Sequence, residues 1–211
     1  MNFKKLILPM KYIATILIGI ASLGFLIYFV IGFVNVFDKI SSDWSYIVDY
    51  VLYFLIFAAT IFNAGRGIYL LMKGKDEKFN HSLRDSIFTY MLYGLWIAID
   101  YISLFAETKA TLHFPILPLI TGIFAVITFV ALLLVDVKKL ESKKHIFNVI
   151  FAVSSFITGV LYVVNNALDV VMMVFSIVGL LAIVGFGIVT IYTAFFDKKE
   201  EAPVIEEQIE E

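Results

Sequence analysis

The sequence predicts an all-α polytopic membrane protein, a bundle of six transmembrane helices with both termini in the cytoplasm. Of the 211 residues, 61% are hydrophobic, against about 45–50% in an ordinary soluble domain. Only 16% are charged, and these residues cluster between long apolar runs instead of interrupting them. This segregation is typical of a chain that has the bilayer as its solvent.

Six apolar runs supply the predicted spans. The first run is longer than the apolar core of a secretory signal, about 7–15 residues, so we interpret it as an uncleaved span. The predicted spans cover residues 12–37, 47–65, 86–105, 113–135, 146–164 and 170–196. Together they form one transmembrane domain, residues 1–196. Residues 197–211 are acidic and poor in apolar side chains, so we expect a disordered cytoplasmic tail.

The boundaries of the spans carry residues that suit a membrane interface. Trp44 precedes the second span at the level where aromatic side chains concentrate. The charged segment Lys73–Asp85 is predicted as the longest internal loop, and residues 138–144 form a second lysine-rich loop. Pro115 and Pro118 lie in or near the first turn of the fourth span. Proline is tolerated there because the first amides of a helix lack acceptors within the helix.

Lysine and arginine decide the predicted orientation. Six spans place both termini on the same side. With Arg66 left aside, that side carries 13 lysines and arginines, whereas the opposite side has only Lys39 and Lys109. The positive-inside rule therefore predicts cytoplasmic termini.

Three spans carry polar side chains at steps of three, four or seven residues, which places each set on one helix face. Lipid offers such groups no partner, so these stripes are expected to turn inward and to face one another. The stripes are Asp49, Tyr53, Thr60, Asn63 and Gly67 on the second span; Ser86, Thr89, Tyr93, Trp96, Asp100, Ser103 and Glu107 on the third; and Asn148, Ser155, Tyr162, Asn166 and Asp169 on the fifth.

Asp100 and Asp49 are the leading candidates for a functional site because they are ionisable and lie within or near the membrane on different stripes. At a rise of 1.5 Å per residue, their predicted depths agree within about 5 Å. Two carboxylates so placed can bind a cation or share a proton. The predicted solute-binding residues are Asp100, Asp49, Asn63, Tyr93, Trp96, Asn148 and Arg66.

A structural alternative stands beside each of these assignments. Asp100 and Asp49 can reach outer headgroups or water and simply mark the span ends. Asn63 and Asn148 can hold helices together through hydrogen bonds worth about 0.6–2 kcal/mol each. Arg66 can extend its side chain to the headgroups. The discriminating observation is whether the stripes converge on a cavity or form a packed seam.

Several classes of chemistry find no support in the sequence. Cysteine is absent, which excludes disulfides, thiolate metal sites and cysteine nucleophiles. His81, His113 and His145 lie at different span edges and form no pair with ligand spacing. Hydrolase and metalloprotease motifs are absent, and so is a basic stripe with interleaved aromatic residues. We therefore predict neither an enzyme nor a nucleic-acid-binding protein, and no cofactor or metal.

Two functions remain open at the level of the sequence. The polar stripes favour a protein that binds or translocates a small solute or ion from the outer side. The alternative is a non-catalytic structural or regulatory subunit that uses small-residue faces, such as Thr15, Gly19 and Ser22, to bind a protein partner or a second copy. Lysine far outnumbers arginine, and Ile, Phe and Asn are abundant, as in proteins of AT-rich bacteria. The predicted location is therefore a bacterial cell membrane.

Overall fold

The computed structural model describes residues 4–40, 44–107 and 116–196, and it is entirely α-helical apart from turns and one short 3₁₀ segment, Lys138–Lys143. The predicted acidic tail, residues 197–211, lies outside the described residues, as does the start of the fourth predicted span at 113–115. The six α-helices are α1 (Lys4–Ile40), α2 (Trp44–Met72), α3 (Asp76–Glu107), α4 (Ile116–Val135), α5 (Lys144–Asn165) and α6 (Val170–Phe196).

Five of these helices are long and apolar enough to cross a membrane: α1, α2, α4, α5 and α6. The architecture is therefore that of a membrane-embedded protein. α3 is not among the five, although it has 32 residues. Its first two turns are strongly charged, and the predicted polar stripe runs along the rest of it, so its own hydropathy is low.

The helices pack as a closed ring in chain order. Each helix lies beside the next, and α6 closes the ring against α1. α3 also contacts α1 and α5, which shows that it leans toward the middle of the ring.

The position of α3 explains its polarity. Of the residues 82–98, which form its middle, none is exposed. α1 differs, because one of its faces presents large apolar side chains at steps of three and four residues. A polar group on α3 meets other helices, whereas a side chain on the outer face of α1 would meet lipid. The exposed residues of α1 include Ile13, Ile16, Ile20, Leu23 and Ile27.

The predicted internal loop Lys73–Asp85 is wrong in its extent, because α3 already begins at Asp76 and only residues 73–75 connect the two helices. α2 continues past Arg66 to Met72, and α3 begins at Asp76. Gly74 ends α2 with a positive φ of 65°, a conformation that glycine adopts without a steric penalty. The Gly74 amide donates to the carbonyl of Leu71 and the Lys75 amide to that of Leu70, both at 3.0 Å. This is the Schellman pattern of a helix C-terminus, and it turns the chain within three residues.

Candidate functional site

Aromatic side chains fill the middle of the ring. We define this aromatic core as Phe25, Phe29, Phe57, Tyr90, Tyr93 and Tyr162. Phe25 and Phe57 stack with their ring centroids 4.9 Å apart, and Tyr93 lies 5.3 Å from both Phe57 and Tyr162. Four helices contribute these rings, and all of them except Phe29 are at most 2% exposed, so the aromatic core closes the bundle between its two ends.

Two glycines let the aromatic core approach neighbouring backbone. The Tyr162 hydroxyl accepts from the Gly94 amide and lies 2.9 Å from the carbonyl of Met91, so it reaches the backbone of α3. A Cβ at Gly94 would lie 2.6 Å from Cε1 of Tyr162, and a Cβ at Gly179 would lie 2.3 Å from the Tyr90 hydroxyl. Both tyrosines are fully buried.

An open cavity of about 370 Å³ lies at the end of the bundle that holds the α5–α6 turn. We call it the Asp100 cavity. The aromatic core forms its floor through Phe29 and Tyr93. α2, α3, α5 and the α5–α6 turn contribute its polar wall, which consists of Tyr53, Asp100, Asn165, Asn166 and Asp169.

Asp49 and Trp96 lie beside this cavity. The Asp49 carboxylate is close enough to Asp100 for their charges to interact, and it also interacts with the indole of Trp96. The Trp96 Nε1–H is buried, and no described residue offers it an acceptor at full hydrogen-bonding geometry. The two aspartates, which were predicted to lie at similar depths, are thus near neighbours.

Asp169 is the best-anchored carboxylate of the Asp100 cavity. One oxygen accepts a hydrogen bond from the Tyr28 hydroxyl on α1. The other accepts from the amides of Val171 and Met172, each at 3.0 Å, and so caps the N-terminus of α6. The hydroxyl of Tyr28, followed by the amide of Met172, holds the pKa of Asp169 below its usual range. Asp169 is therefore ionised at neutral pH.

Comparison of the chain with protein-family models, with curated proteins and with solved structures gives no match.

A second cavity, of about 390 Å³, opens at the opposite end of the bundle between α1, α3, α5 and α6. We call it the Arg84 cavity. Its polar wall carries a different charge from that of the Asp100 cavity, because it includes two lysines and an arginine. The residues that matter here are Lys11, His81, Arg84, Lys144, Asn148 and Thr190.

The structure divides the predicted site residues among several places. Asp100 and Tyr93 line the Asp100 cavity, with Asp49 and Trp96 beside it. Asn148 lines the Arg84 cavity at the other end. Asn63 and Arg66 line neither cavity.

The last two residues lie on α2 near the Arg84 end. The backbone carbonyl of Asn63 accepts a 2.7 Å hydrogen bond from Ser82, and this bond ties α2 to α3. Arg66 is exposed, and its charge interacts with Asp85. An exposed arginine near a helix end agrees with the structural alternative.

Small hydroxyl side chains, two of them from the stripes on α2 and α3, form packed seams between helices. Thr60 on α2 donates to Thr89 on α3 at 3.0 Å, and Thr128 on α4 donates to Ser154 on α5 at 2.8 Å. Hydrogen bonds of this kind hold helices together. The stripes are thus packed where they cross the middle of the bundle and open only at its ends.

Sequence reasoning selected neither Tyr28 nor Asn165, and it placed Asp169 on the stripe of the fifth span without including it among the solute-binding residues. Asp169 carried a signal, since an aspartate immediately before an apolar helical run is typical of an N-cap. No sequence signal identifies Tyr28, because its partner Asp169 lies 141 residues away in the chain.

Proposed function

We propose that the chain crosses the cell membrane six times, with both termini in the cytoplasm, and binds a small organic cation in the Asp100 cavity from the outer side. Support for the sixth span comes from α3 itself. Its 32 residues extend about 48 Å at 1.5 Å per residue, more than the hydrocarbon thickness of about 30 Å. Since neighbouring helices shield its middle, α3 needs no apolar outer surface in order to cross.

The observation that carries the proposed ligand class is the convergence of carboxylates and aromatic rings on one cavity. Asp100 and Asp169 belong to its wall, and Asp49 lies beside it. No lysine or arginine is among the described residues that line it. The excess of negative charge favours a cation.

The aromatic rings favour an organic cation over a metal ion. Phe29, Tyr53, Tyr93 and Tyr101 all line the cavity, and aromatic faces attract ammonium groups through their quadrupoles. Among the described residues, no group of three or more His, Cys, Asp or Glu side chains is placed to hold a metal. A volume of about 370 Å³ also lies within the range of small-molecule sites.

The aromatic core limits the kind of transport that this geometry permits. It separates the Asp100 cavity from the opposite end of the bundle, so the described conformation offers no open pore through the ring. The proposed activity is therefore binding, and any translocation requires the helices around the aromatic core to rearrange.

The test is binding of choline, with its uncharged tert-butyl analogue as the matched ligand control. Choline should raise the melting temperature of the detergent-purified protein, and the uncharged analogue should not. Asp100→Asn should weaken choline binding at least about tenfold, since a charge-assisted contact contributes about 1.5–3 kcal/mol. Glu141→Gln removes an exposed carboxylate at the opposite end and should bind like the wild type. Equal binding of both ligands, or no effect of Asp100→Asn, would contradict the proposal.

A further inference from the structure

The Arg84 cavity has the composition of a site for an anion. Lys11, Arg84 and Lys144 bring three positive side chains to one wall, and they come from α1, α3 and α5. Amide and hydroxyl groups supply further donors at Asn148 and Thr190. No carboxylate is among the described residues that line this cavity.

Arg84 is held in place but keeps unused donors. Its side chain is buried, with 7% of the residue exposed. Its Nη2 atom is hydrogen-bonded to two side chains. It lies 3.1 Å from Nδ1 of His81 and 3.0 and 3.2 Å from the two carboxylate oxygens of Asp136. Nε is buried without an acceptor among the described residues. A guanidinium carries five N–H donors, so this one is fixed by Asp136 and remains able to bind an oxyanion.

The N-terminus of α5 adds to the positive potential of the cavity. α5 begins at Lys144, and the residue before it, Lys143, makes no side-chain cap. The Lys144 amide donates to the carbonyl of Glu141 in the preceding 3₁₀ segment, and the helix dipole leaves this end of α5 positive. Lys144 and Asn148 lie in the first turns of α5 and line the cavity.

We propose that the Arg84 cavity binds a phosphate group. A phosphate has several oxygens and up to two negative charges, which suit a wall with three cations and several neutral donors. A phosphate offers more oxygens than a carboxylate to the three cations and the neutral donors of this wall. The phosphate has two possible sources, the headgroup of an anionic phospholipid or a free phosphorylated solute. This site is independent of the proposed cation site, because the aromatic core separates the two cavities.

The experiment measures thermal unfolding of the full chain in a non-ionic detergent under two pairs of conditions. The first pair is inorganic phosphate against chloride at matched ionic strength. The second is mixed micelles with phosphatidylglycerol against phosphatidylcholine. Lys144→Gln removes one charge from the cavity wall. Lys139→Gln is the matched control, since Lys139 is exposed at the same end and does not line the cavity.

Stabilisation by inorganic phosphate supports a site for a free phosphorylated solute, and stabilisation by phosphatidylglycerol alone supports a headgroup site. In either case Lys144→Gln should need about tenfold more ligand than Lys139→Gln for the same stabilisation. The proposal is overturned if neither ligand exceeds its control, or if the two variants lose the same affinity. Because Lys144 is exposed, its substitution leaves the Arg84–Asp136 pair intact, and a folding failure is not expected.

Discussion

The two ends of α3 meet cavities of opposite charge. Asp100 and Arg84 are sixteen residues apart on this helix, about 24 Å along its axis. The end with Asp100 lines a cavity that contains carboxylates and aromatic rings. The end with Arg84 lines a cavity that contains lysines and a histidine. One helix thus lines two cavities of different charge, and the aromatic core lies between them. The charge of each cavity therefore depends on which helix ends meet there.

The largest expected effect comes from a test of whether the two cavities lie on opposite sides of the membrane. The chain has no cysteine, so single cysteines can report on access. We predict that Leu168→Cys, in the exposed α5–α6 turn beside the Asp100 cavity, reacts with an impermeant maleimide added to intact cells. Ser142→Cys, in the 3₁₀ segment at the other end, should react only after the cells are permeabilised. Labelling of both positions in intact cells would place the two cavities on the same side.

The second test addresses the aromatic core that separates the cavities. Gly179→Ala adds a methyl group against the buried Tyr90 hydroxyl, where the Cβ would lie at 2.3 Å. We expect a loss of about 1–3 kcal/mol in the free energy of unfolding, because an overpacked core must distort. Gly187→Ala lies on the same helix with nothing within 4 Å of its Cβ. It should be neutral or stabilise by up to about 1 kcal/mol through helix propensity.

Chemical denaturation in detergent measures both glycine variants. If Gly179→Ala and Gly187→Ala show equal stability, α6 must be free to move away from α3. The aromatic core would then be too loose to separate the two cavities.

The smallest effect is expected for Asp169, and it tests whether this carboxylate of the Asp100 cavity is ionised in the folded chain. The pKa of Asp169 is lower in the folded chain than its usual value of about 3.9, chiefly because Tyr28 donates to the ionised carboxylate. Its stabilising contribution is therefore fully present above the unfolded pKa and is lost as pH falls through the folded pKa. The difference in melting temperature between the wild type and Asp169→Asn should be largest near pH 7 and should shrink below a pH of about 4.

The control for this pH profile is Glu141→Gln, at the end of the bundle that holds the Arg84 cavity. It removes one carboxylate without touching the α6 cap and should follow the wild type at every pH. Parallel profiles of wild type and Asp169→Asn would show that the Tyr28–Asp169 contact contributes nothing in solution.

Part of the candidate site could be predicted from the spacing of polar residues along single helices. The spacing of Tyr93, Trp96 and Asp100 places them on one face of α3, and the structure brings Asp49 of α2 near them. Asn148 belonged to an equally regular stripe, yet it lies in the opposite cavity. Its stripe runs the length of α5, so its two ends reach different cavities. Periodicity identifies a helix face and leaves open how far along the bundle each residue lies from a partner.

The sequence by itself determined the helices, the apolar surface of the bundle and the separation of charge between its ends. These properties follow from the composition and spacing of neighbouring residues, which a helix converts directly into length and faces. Only the tertiary structure decided that α3 lies shielded inside the ring, that α6 closes against α1 and that Tyr28 meets Asp169. Those outcomes depend on contacts between segments far apart in the chain. Such contacts form through packing of complementary surfaces, and no local pattern encodes which surfaces will meet.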